Sequence, residues 1–91
     1  MTDELMLAML KINLGINQTK AYDVRLAQYL ETAKAEIERE GATLSADSVA
    51  DCNLIIQYAE WMWRRRDTGE GMPRMIRWQI NNRIFDMGGD N

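Results

Sequence analysis

Histidine is missing from this 91-residue chain altogether, and cysteine, proline and phenylalanine occur once each. The first absence removes the commonest general base and the commonest metal ligand together. The lone thiol, Cys52, excludes an internal disulfide and any multi-cysteine zinc site. Glycine is scarce, and Gly69-x-Gly71 lacks the strand and the lysine of a phosphate loop. No apolar run approaches the roughly 20 residues of a membrane span, and the first residues lack the basic stretch and apolar run of a secretory signal. These absences predict a soluble protein of a reducing cytoplasm, with no catalytic residue, cofactor or metal.

What remains is rich in Ala, Leu, Met, Arg, Glu and Gln, and clean period-2 alternation is rare. The expectation is therefore an all-α fold, a small bundle of about four helices forming one domain over 1–91. A hydrophobic fraction of 46% is too high for a disordered segment. Domains this short bury small cores, so help from a partner chain is expected.

The net charge of −3 hides a segregation. Residues 1–60 hold five Lys/Arg against ten Asp/Glu, whereas residues 61–85 hold six Arg against Asp67 and Glu70. Such polarity sets the basic end of one copy against the acidic body of another and fixes register. Chance scatter of surface charge in a small protein is the plain alternative.

The first helix is expected from Asp3 to Leu14, with Thr2 or Asp3 as its cap and Gly15 as its stop. Leu5, Ala8, Met9 and Ile12 share one side, and Met6, Leu7, Leu10 and Leu14 cover most of the rest. The second is expected from Ala21 to Glu40, its core stripe formed by Tyr22, Leu26, Tyr29, Leu30, Ala33 and Ile37. Glu31 and Lys34 have the i, i+3 spacing of an ion pair. The third starts after Ser45 or Ser48 and runs to about Arg66 with two apolar stripes. Val49, Cys52, Ile56, Ala59 and Trp63 form one, and Leu54, Tyr58 and Trp61 the other, roughly 150–200° away. That second stripe needs another helix or another molecule. Pro73 opens a fourth helix, where its missing N–H costs nothing. Ile76, Ile80 and Ile84 should dock it, with Trp78 and Phe85 facing away. Residues 86–91 read as a frayed tail.

Few groups offer chemistry. Cys52 lies on the core stripe with no clustered cations, as an inert thiol would. Dispersed carboxylates, including Asp47 and Asp51, suit a solvated face. Trp and Arg carry binding energy at interfaces, and both concentrate between residues 54 and 85. Leu54, Tyr58, Trp61, Arg64, Arg65, Arg66, Arg77 and Trp78 are therefore the expected interface residues. The alternatives are that Trp61 and Trp78 lie under a loop or on an arginine stem, and that the triple arginine serves its helix's C-terminal dipole.

The order of segments resembles the small head–tail connector (adaptor or head-completion) proteins of tailed bacteriophages. The resemblance rests on LMLAMLKINLGIN (5–17), YDVRLAQYLETAKAEIEREG (22–41), CNLIIQYAEWMWRRRD (52–67) and GMPRMIRWQINNRIF (71–85). The chain departs from that pattern at the polar, basic turn Asn17 to Lys20 and in the short loop Asp67 to Met72. The resemblance implies a structural virion protein, made in the bacterial host cytoplasm and placed at the head–tail junction. It implies a homo-oligomeric ring of about a dozen subunits beneath the portal protein, extending the DNA channel and docking the tail or stopper protein. DNA would pass without sequence-specific binding, and no membrane is involved. A different reading is a helix-turn-helix DNA-binding protein for packaging or regulation. Its reading helix would be the fourth, with Arg74, Arg77, Gln79, Asn81, Asn82 and Arg83.

Overall fold

Hydroxyl groups begin two of the four helices. Thr2 Oγ1 accepts from the Leu5 N–H at 3.1 Å, and Ser48 Oγ accepts from the Asp51 N–H at 3.2 Å. Each satisfies one amide that a helix start would leave unpaired. Gly15 (φ 74°) and Gly69 (φ 68°) end the same two helices in the left-handed conformation, which a side chain would disfavour. The elements are α1 (Asp3–Leu14), α2 (Asp23–Arg39), α3 (Val49–Thr68) and α4 (Arg74–Gly89).

The computed structural model describes the backbone of residues 1–89 and the side chains of residues 1–85. Among these the chain is all-helical, as the composition predicts. The helix ends fall within about two residues of the expected ones, the usual uncertainty of helix boundaries. The expected tail differs: α4 continues through it as far as Gly89, and residues 90 and 91 lie outside the described residues.

Helix α3 is the centre of the molecule. It packs most extensively on α2, and also on α1 and α4. Met6 and Leu10 of α1, Leu26, Leu30, Ala33 and Ile37 of α2, and Ile76 and Ile80 of α4 close around Cys52, Leu54, Ile55, Ile56 and Ala59. Cys52 is buried, its Sγ facing the Ala46 carbonyl at 3.5 Å. Val49, expected on the core stripe, is exposed at the start of α3. Glu31 and Lys34 form no ion pair; in α2 the i, i+3 pair is Glu36 with Arg39.

The body measures 46 × 29 × 17 Å. Helices α1 and α4 each keep an uncovered outer face. Leu5 and Ile12 stand exposed on the first, and Met75, Trp78 and Phe85 on the second.

Candidate interaction surface

The eight residues expected at an interface separate into three groups. Leu54 and Tyr58 are buried inside the chain, because α4 covers the second stripe of α3 through Ile76 and Ile80. They belong to the core and offer no surface, which corrects the expectation for both. Burial, with Glu36 and Glu40 nearby, raises the Tyr58 phenol above its ordinary pKa.

The second group surrounds the end of α3. Trp61 is half-buried beneath the connection to α4, and its Nε1–H donates to the Glu70 carbonyl at 3.2 Å. Its ring meets Tyr58 edge-on at 5.4 Å, and the Arg65 guanidinium lies 4.6 Å from its centroid. Trp63 contacts Tyr22 and Tyr29 at 5.2 and 6.0 Å, with Arg66 3.8 Å above it. Arg64 turns back to Glu60 at 3.2 Å. The three consecutive arginines therefore point three ways, as 100° steps around a helix require. All three remain exposed, each with a partner on its own helix.

The third group is on α4. Trp78 is 61% exposed, and Met75 (62%) and Phe85 (76%) flank it. With Asn82 these residues follow a 3-4-3 spacing, so they form one stripe about 15 Å long on the face opposite Ile76 and Ile80. Arg74, one turn before Trp78, borders the stripe and has no ion-pair partner among the described residues. Arg77 is on the other side of the helix, in a two-pronged pair with Glu40 at the end of α2. This ties α4 to the end of α2 and engages Arg77, whose side chain stays partly exposed.

Two features escaped the sequence reading. Asp51, expected on a solvated face, is only 3% exposed; it accepts from the Ser45 N–H and pairs with Arg83 of α4. A cavity of about 430 Å³ lies between α1, α2 and the connection from α2 to α3. Met6, Leu7, Leu30, Leu44 and Ile55 give it an apolar lining, and Asp3, Glu4, Glu31 and Lys34 also border it. Neither could be seen from local spacing, since both join residues from separate elements.

Among the described residues, no group of three His, Cys, Asp or Glu is placed to hold a metal, and no helix is long and apolar enough to cross a membrane. No protein-family model, curated protein or solved structure matches the chain.

Proposed function

We propose that this chain is a structural assembly protein that associates with copies of itself, as a connector or adaptor between the head and tail of a bacteriophage does. The observation that carries the self-association is the exposed stripe Met75, Trp78 and Phe85. Three large apolar side chains in one line are a surface that water disfavours, and aromatic anchors beside arginine are typical of interface hot spots. The charge segregation between residues 1–60 and 61–85 supports head-to-tail pairing of unlike surfaces, the arrangement that generates rings. The virion setting rests on the resemblance of the four segments. There the ring sits below the portal, extends the DNA channel and docks the tail or stopper, and a net acidic chain suits a channel through which DNA must slide.

Native mass spectrometry, with light scattering across a concentration series, tests the reading. Multimers that grow with concentration are the expected result. A chain that stays monomeric at the highest attainable concentration would count decisively against it.

The DNA-binding reading stands second. Arg77, Arg83 and Gln79 would have to leave Glu40, Asp51 and Gln57, leaving Arg74, Asn81 and Asn82 as the exposed donors of α4. A gel shift at low salt separates the two readings, since phosphate contacts weaken steeply as salt rises.

A further inference from the structure

The stripe on α4 and the cavity beside α1 are both apolar and carry opposite charge at their borders. One is a ridge of Met75, Trp78 and Phe85 bordered by the unpaired Arg74. The other is a recess with an apolar floor, where the carboxylates Asp3, Glu4 and Glu31 outnumber two cations, Lys34 and the Met1 ammonium, which donates to the Ala46 carbonyl. None of these five charges has an ion-pair partner among the described residues. No residue of α4 lines the recess, so the two surfaces are separate places on the molecule.

We infer that the recess between α1, α2 and the α2–α3 connection receives the Trp78 ridge of a second copy of this chain, with Arg74 meeting the acidic edge. This rests on the self-association proposed above and names the surface that receives it. An indole entering an apolar recess is the geometry in which a single side chain dominates an interface. Opposite charges at the edge set its orientation and exclude the reversed approach. Ridge and recess are different surfaces, so the contact is heterologous: each copy offers one ridge and one recess, and the contact repeats from copy to copy, making a ring where the rotation closes and a filament where it does not.

The test is a mixing experiment with two variants, each checked for helicity by circular dichroism. Trp78→Ala removes the ridge and leaves the recess intact; Ala27→Trp fills the recess and leaves the ridge intact. Glu31→Arg, on the exposed edge, replaces Ala27→Trp if that variant does not fold. Each variant alone should associate at least about tenfold more weakly than wild type by sedimentation. Mixed one to one, they should form a dimer that grows no further, because only one intact ridge and one intact recess remain. Wild type that associates while the mixture stays monomeric overturns the inference and leaves the self-association standing. Recess variants that associate as wild type does also overturn it, and point to ridge-on-ridge pairing. A wild type that never associates removes both.

Discussion

Arg83 reaches back 32 residues to Asp51, its Nε donating to Oδ1 at 2.9 Å and its Nη2 to Oδ2 at 3.2 Å. Oδ2 also accepts from the backbone N–H of Ser45 at 2.9 Å. One carboxylate thus fastens the α2–α3 connection, the first turn of α3 and the far part of α4. The exposed stripe on α4 keeps its orientation because its opposite face is held in this way.

Arg83→Met should leave the Asp51 charge enclosed with only the Ser45 amide for company. Breaking a fully buried pair costs about 3–5 kcal/mol; Arg83 is a third exposed, so about 2 kcal/mol is expected here. Asp51→Asn should cost less, because the freed guanidinium turns to water. Urea denaturation of both single variants and the double checks this, the double costing less than the sum.

Trp78→Ala and Trp61→Ala should have opposite signatures. The Trp78 indole touches little of its own chain, so its removal should change stability by less than about 0.5 kcal/mol and reduce association. Trp61 bridges Tyr58, Arg65 and the Glu70 carbonyl. Its removal should cost about 2–3 kcal/mol and loosen the α3–α4 connection. Thermal melts and sedimentation on the same samples separate the two effects.

Tyr58→Phe should change the response to alkali. The folded protein holds the phenolic proton more tightly than an unfolded chain, where tyrosine titrates near 10. Its stabilising effect is therefore complete below about pH 10 and is lost as pH rises through the folded value. Relative to wild type, the phenylalanine variant should gain stability as pH rises above about 10, about 1.4 kcal/mol for each pH unit passed between the unfolded and the folded value. Chemical denaturation at several alkaline pH values measures it.

Ile80→Ala should detach α4. Ile80 of α4 is fully buried in the core that α4 shares with Leu54 and Tyr58 of α3. Loss of three carbons there should cost about 2–4 kcal/mol. If α4 is released as a unit, limited proteolysis should cut near Gly69–Gly71 in this variant well before it cuts wild type.

The helices and their ends were legible because their signals are local. Thr2, Ser48, Gly15 and Pro73 mark boundaries regardless of what the helices later touch, whereas Gly69, which ends α3, was not read as its stop. The two stripes of α3 were legible too, but periodicity does not say what covers a stripe. Leu54 and Tyr58 are covered by α4 of the same chain, and only the tertiary arrangement decides that. The same holds for Asp51 with Arg83 and Glu40 with Arg77: 32 and 37 residues separate the partners, and no spacing rule reaches so far. Trp63 was expected on the core stripe. It lies near the end of α3, where Tyr22 and Tyr29 cover its ring only in part. Trp78 and Phe85 were legible as outward-facing, because a helix with Ile76, Ile80 and Ile84 on one side leaves them the other.

Ile76 and Ile80, with the partly buried Ile84, anchor α4 to the body, while its other fastenings are ion pairs and a hydrogen bond whose α4 members are partly exposed. Mild salt or denaturant therefore weakens this attachment ahead of the interior between α2 and α3. The fourth helix becomes the natural first step of unfolding, its amide protons exchanging with solvent while those of Leu30, Ala33 and Ala59 stay protected. A neighbour gripping its outer side would suppress that opening, so docking would register as slowed exchange along the very segment that is loosest in the free chain.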